Sequence, residues 1–231
     1  MALTDAEVAR YARQLILPGL GEAGQERLRA ARVRVVGGGP ATGPAIAYLA
    51  EAGIGTLLID DPDPVGAGDG VGFLYHSTDI GRPRGVAAAE AVRAATGLVQ
   101  AELPRPGARP TGVLVSAGSP EVSRAVADEA RLLGLPHVVA EVDGQGGAVT
   151  VVPPGAPCYA CAVRPGIGAD PTPAGAATVG ALAALELVLL LAGAASEPGG
   201  RRIEVFRGAP LTRASVRQPG CACGASKASP P

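Results

Sequence analysis

The chain has no asparagine, no tryptophan and a single lysine, Lys227, in 231 residues. A site that needs an Asn carboxamide, or an ammonium group outside the C-terminal tail, cannot be assembled from it. Its fixed cations are almost all arginines. The formal net charge is −1 and no basic run is present, so the electrostatic footprint of a nucleic-acid or anionic-membrane binder is missing. The N-terminal MALTDAEVARYARQ lacks the apolar core of an export signal. That predicts a cytoplasmic protein, whose cysteines serve metal or redox roles and not structural disulfides.

What is present reads as globular. Apolar residues make up 47% and charged residues 18%, a composition able to bury a core. Glycine (34) and proline (22) are frequent but follow no period. The length suits one domain with at most a small appendage. One run, Ala174 to Ala195, is long and apolar enough to imitate a membrane span, with Glu186 its one charge. Its Ala and Gly content, the mid-segment charge and the lack of flanking anchors favour a helix buried in the core or at a subunit interface.

Periodicity predicts helices over Thr4–Leu17, with a Thr4/Glu7 capping box, and Gly21–Ala31. A strand at Val33–Val36 then enters the turn Gly37-Gly38-Gly39-Pro40, and a helix runs to Ala52. Further strands are expected at Thr56–Ile59, Gly112–Ser116 and His137–Glu141, with helices at Gly85–Ala101 and Pro120–Leu133 between them. Gly144–Gly147 is too short for a parallel crossover, so Ala148–Val152 should return as a hairpin. Arg202–Phe206 and Leu211–Arg217 read as later strands. The fold class is therefore α/β: a Rossmann-like, doubly wound, mostly parallel sheet extended by antiparallel strands.

A glycine turn between a first strand and a helix lets backbone N–H groups approach a phosphate, and an acid about 20 residues on is placed for a ribose hydroxyl. Gly37, Gly39, Asp61 and Asp63 are the cofactor-binding candidates. Thr42 stands where the third fingerprint glycine belongs, with Gly43 one later, and Pro40 removes a donor. A turn that binds nothing and an NAD(P)-binding oxidoreductase both stay open at this point.

Four motifs occur in order: Arg10-Tyr11-Ala12-Arg13-Gln14, the glycine turn with Gly53-Ile54-Gly55, Asp61-Pro62-Asp63, and Cys158-Tyr159-Ala160-Cys161 with Cys221 and Cys223. Together they resemble the ThiF/MoeB/HesA family, the prokaryotic relatives of ubiquitin-activating enzymes, from about Glu7 to Gly224. The resemblance implies one adenylating domain over 1–224 (helices 1–31, nucleotide-binding units 32–141, and 144–224 with the antiparallel strands, cysteine pairs and apolar helix). A disordered tail, 225–231, is expected to follow. It also implies ATP and magnesium as cofactors, and adenylation of the C-terminal carboxylate of a sulfur-carrier or ubiquitin-like protein or peptide. Assembly would be a homodimer, or a heterodimer with a complete family member. Arg13 matches the arginine that reaches the partner subunit's nucleotide, Asp61 the ribose-binding acid, and Arg84 the phosphate-binding lysine.

The chain departs from that pattern where phosphate and magnesium are held. The family's N-x-x-R aligns with Asp69 and Gly72, and its magnesium-binding D-x-x-D aligns with Ser116 and Ser119. Adenylation develops charge that cations must neutralise. A non-catalytic member that binds a carrier, peptide or catalytic partner is therefore the alternative to the enzyme. Cys158, Cys161, Cys221 and Cys223 supply the four thiolates of a closed structural zinc site; free or redox-paired thiols are the other reading. His76 and His137 read as structural or surface residues, and Glu186 as the partner of a buried arginine or part of an interface.

Overall fold

The structure, a computed structural model, describes residues 3–37, 40–67, 69, 74–144, 146–162, 172–195, 199–206, 209–221 and 223. Gly38, Gly39, Gly72 and the tail from residue 224 lie outside the described residues.

Helix α1 (Asp5–Leu15) starts at the expected capping box: the Glu7 N–H donates to Thr4 Oγ1 at 3.3 Å and the Thr4 N–H to Glu7 Oε2 at 2.7 Å. Next come α2 (Gly21–Ala30), β1 (Arg32–Val36), α3 (Thr42–Glu51) and β2 (Thr56–Asp60). After a 3₁₀ turn at Ser77–Asp79 the chain forms α4 (Arg84–Ala95), β3 (Gln100–Glu102), β4 (Gly112–Val115) and α5 (Pro120–Leu132). The second half is β5 (His137–Asp143), β6 (Gly146–Val152), the short α6 (Tyr159–Ala162), α7 (Pro173–Ala192), β7 (Arg201–Phe206) and β8 (Ala209–Ala214).

The strands form one sheet in the order β3-β2-β1-β4-β5-β6-β7-β8. The first five are parallel, and β6, β7 and β8 add on antiparallel. One expectation is corrected. The helix predicted over Gly85–Ala101 ends at Ala95, and β3 follows as the edge strand on β2. Gly97 interrupts the alanine-rich helix, and pairing with β2 recruits the next residues.

The sheet is covered on both faces, as a parallel sheet requires. One face packs Leu28, Ile46, Leu49, Ala88, Val179 and Leu187 with the strand residues that point toward them. The other packs Val126, Ala127 and Ala130 of α5 and Tyr159 of α6 against Val36, Val113, Val115 and Val139. Helix α7 is, among the described residues, the one helix long and apolar enough to cross a bilayer. Here it lies across the sheet, and a Cβ at Gly180 would meet Ala41 O at 2.2 Å. Only glycine lets α7 come that close to the start of α3. Glu186 of α7 is buried in an ion pair with Arg201 of β7, the pairing expected from its position.

Candidate functional site

Register brings the carboxyl ends of β1, β2 and β4 level: Val36 pairs with Asp60 on one side and with Val115 on the other. The crevice beyond these ends is where open parallel sheets hold ligands. A cleft of about 470 Å³ opens there, lined by Val36, Gly37, Pro40, Asp60–Asp63, Asp69, Arg84, Ala117, Gly118 and Val122.

Gly37 has φ +93°, and a Cβ on it would lie 2.4 Å from Ala117 Cα. The β1 turn and the chain leaving β4 touch backbone to backbone, which glycine alone permits. Thr42, at the displaced fingerprint position, is buried and its Oγ1 reaches Ser116 O at 3.5 Å.

The two adjacent aspartates at the end of β2 have different tasks. Asp60 accepts hydrogen bonds from Arg34 Nε at 2.9 Å and Nη2 at 2.6 Å, so it is committed to a structural ion pair. Asp61 is buried; its Oδ1 accepts from the Asp63 N–H at 3.1 Å, and its Oδ2 has no hydrogen-bond donor among the described residues. Burial raises its pKa, opposed by donation from the Asp63 backbone and by the charge of Arg84. Asp61 thus offers the cleft an acceptor oxygen with no hydrogen-bond donor among the described residues.

Arg84 begins α4. The Arg84 N–H donates to Asp63 O at 2.8 Å and the Gly85 N–H to Asp61 O at 2.9 Å, so the helix start is tied to the end of β2. The guanidinium Nε donates to Asp69 Oδ2 at 2.6 Å, and Nη1 stands 3.8 Å from both Asp61 Oδ2 and Asp63 Oδ2. Asp69 also accepts the Gly66 N–H at 2.6 Å. The motif alignment sets Arg84 at a phosphate-binding position and Asp69 at a lost Asn, and nothing in it shows that the two side chains meet. The 15-residue separation carries no local signal of that contact.

Ser116 is buried at the end of β4, and Ser119 caps α5, accepting the Val122 N–H at 3.4 Å and donating to Glu121 Oε2 at 2.8 Å. Arg13 is exposed on α1 and is not among the residues lining the cleft. His76 is exposed beside the 3₁₀ turn, while His137 is buried, its Nδ1 3.0 Å from Leu135 O.

A second constellation joins distant parts of the chain. The Sγ atoms of Cys158, Cys161, Cys221 and Cys223 lie within 4.8 Å of one another, with Cys158–Cys221 at 3.5 Å, Cys161–Cys223 at 3.6 Å and Cys158–Cys161 at 3.7 Å. Four thiolates bound tetrahedrally to zinc at about 2.3 Å stand about 3.8 Å apart, so the quartet fits a tetrahedral ion. The shortened C-x-C pair reaches this geometry. Gln218 N–H donates to Cys161 Sγ at 3.4 Å, a supporting contact outside the ligand set. Burial pushes the Cys158 thiol up to about 12. At Cys223, donation from the Cys158 backbone and the other thiols outweighs burial and brings it to about 6.

Residues 11–105 match the sequence model of the ThiF family. The sulfur carrier protein adenylyltransferase of Thermus thermophilus is 35% identical over 219 residues, covering 84% of this chain and 81% of that protein. The chain belongs to the ThiF family. The probable adenylyltransferase/sulfurtransferase MoeZ of Mycobacterium tuberculosis is 42% identical over 103 residues, covering 44% of this chain and 26% of MoeZ. The match thus spans about a quarter of that relative's length. Among solved structures, E. coli MccB with ATP superimposes with a TM-score of 0.74 at 18% identity, covering 87% of this chain and 68% of MccB. MccB with AMPCPP and MccA gives 0.79 at 17%, covering 93% and 73%. These neighbours share the Rossmann-like ThiF fold.

Proposed function

We propose that residues 1–224 form one ThiF-type adenylating domain that binds an adenine nucleotide in the cleft at the ends of β1, β2 and β4. Its substrate is the C-terminal carboxylate of a sulfur-carrier or ubiquitin-like protein or peptide. The observation that carries this is Asp61: a buried carboxylate at the end of β2 with one oxygen lacking a hydrogen-bond donor among the described residues, beside a glycine turn with no room for a side chain. It suits a ribose hydroxyl. Kinship over most of the chain to a protein named sulfur carrier protein adenylyltransferase supports the reaction class. So does the fold shared with MccB, solved with ATP and with MccA.

In this reaction a carboxylate oxygen of the carrier attacks the α-phosphorus. The new O–P bond completes a mixed acyl-phosphate anhydride, the bond from the α-phosphorus to the α–β bridging oxygen breaks, and pyrophosphate leaves with that electron pair. The chain's own contribution is positioning, by Asp61 and the Gly37 turn, and charge from Arg84. Magnesium would ordinarily neutralise the leaving phosphates. Ser116 and Ser119 offer hydroxyls where hard carboxylate ligands are wanted. At these two positions the side chains do not fit that ion.

The Arg84–Asp69 pair favours a second reading, a family member that binds carrier and nucleotide with little turnover. Two measurements separate the readings. Calorimetry with ATP, AMP and NAD should show adenine nucleotide binding that Asp61→Ala weakens by about tenfold or more, the worth of one charge-assisted hydrogen bond; preference for NAD would favour an oxidoreductase. ATP–pyrophosphate exchange with a carrier peptide should be slow for the isolated chain. Its complete absence in the presence of tight binding selects the non-catalytic reading.

The cysteine quartet is read as a structural zinc site. It would occupy all four cysteines of the chain and leave no thiol for a covalent carrier relay. Thiolate ligands of this kind suit a reducing, cytoplasmic setting. The expected assembly is a dimer, in which Arg13 reaches the partner's nucleotide.

A further inference from the structure

We propose that Asp69 sets the phosphate affinity of the cleft by holding Arg84 in an ion pair that a nucleotide phosphate must displace. The inference rests on the nucleotide-binding reading and concerns how that site is tuned.

Among the described residues lining the cleft, Arg84 is the single cation, facing Asp60, Asp61, Asp63 and Asp69. Asp60 is already matched by Arg34. Arg84 Nε is bound to Asp69 at 2.6 Å, while Asp61 and Asp63 stand at 3.8 Å. The side chains of Arg84 and Asp69 are only 17% and 13% exposed, so water screens the pair weakly. Asp69 is held in turn by the Gly66 N–H, which anchors the carboxylate in front of the guanidinium.

A phosphate oxygen arriving at Arg84 must replace Asp69 Oδ2, or share the fork with it across a like-charge repulsion. Adenosine brings no phosphate to Arg84 and so does not compete with Asp69; its ribose is met by Asp61, whose Oδ2 stands 3.8 Å from Arg84 Nη1. The pair therefore discriminates by phosphate: it penalises ATP and AMP relative to the nucleoside. Asp69 is a positioning residue that acts through Arg84.

A double-mutant cycle tests this on the full chain, with adenosine, AMP and ATP titrated calorimetrically into wild type, Asp69→Asn, Arg84→Gln and the double variant. Asn keeps an acceptor for Gly66. Asp69→Asn should tighten ATP binding about tenfold, with adenosine changing less than about twofold. In the Arg84→Gln background the ATP gain should shrink by at least about fivefold. If Asp69→Asn is poorly folded by circular dichroism, Asp69→Ser replaces it. The Arg84 Nε–H resonance gives an independent readout: it should shift on ATP addition to wild type, and should already be displaced in free Asp69→Asn. An equal gain with and without Arg84 would reduce the effect to plain repulsion and overturn the proposal. No gain, while wild type binds ATP and adenosine, overturns it and leaves the nucleotide reading standing. No binding of any adenine compound by any variant overturns both.

Discussion

His137 sits at the first position of β5 with 1% of its surface exposed, and burial lowers its pKa below 6.5. The unfolded chain, with an ordinary histidine, therefore binds a proton that the folded chain refuses. Stability is fully present above 6.5 and is lost as pH falls toward the lowered value. The other histidine, His76, is exposed. Urea midpoints measured between pH 7.5 and 5.5 should fall for the wild type, and the fall should be smaller in His137→Phe; parallel curves would refute the assignment. Glu7 works on the same side at lower pH. Donation from the Thr4 backbone holds its carboxyl below 4.5, so its contribution is present above 4.5 and disappears as pH drops below it. Of these details the capping box was legible from Thr4 and Glu7, because both partners lie within one helical turn. The split roles of Asp60 and Asp61 were not: they depend on Arg34 and Arg84, which only the folded sheet brings alongside.

Helix α7 carries two testable features. Its buried Glu186 is paired with Arg201 Nη2, and Arg201 Nη1 has no hydrogen-bond partner among the described residues. Removing one member leaves an uncompensated buried charge, so Glu186→Gln should lose about 3–5 kcal/mol in urea unfolding. Replacing both with apolar residues, Glu186→Leu with Arg201→Met, should recover most of that loss. On its other side α7 leaves Leu185 52% exposed, with Leu182 and Leu189 half-buried one turn to either side. That apolar stripe suits a second copy of the chain. Light scattering should give a dimer mass for the wild type and a monomer mass for Leu185→Glu with unchanged circular dichroism; a monomeric wild type would count against dimerisation. The long apolar run marked this helix in the sequence. β3 was hidden, because Gln100–Glu102 has too few residues to show alternation and becomes a strand only by pairing with β2.

The whole molecule closes through the cysteines. Cys158 and Cys161 lie just after β6, and Cys221 and Cys223 follow β8, yet the four sulfurs meet. Metal analysis should find about one zinc per chain. Chelation should lower the melting temperature and expose four titratable thiols, with proteolysis then beginning after β8. Protein purified without metal, with four free thiols and the same melting temperature, would refute the centre.

Apart from β3, the order of strands and helices, the antiparallel return at β6, the glycine turn and the cysteine pairs were written in local patterns: hydrophobic period, turn residues and motif spacing. They state which way the chain runs and which groups it has to offer. The competition around Arg84 was not written there. Asp61, Asp63 and Asp69 converge on one guanidinium only because β2, the loop after it and the start of α4 fold onto the same end of the sheet. An ion pair between residues 15 apart in a loop and a helix start has no period to announce it; it is a property of distance, and distance is decided in three dimensions.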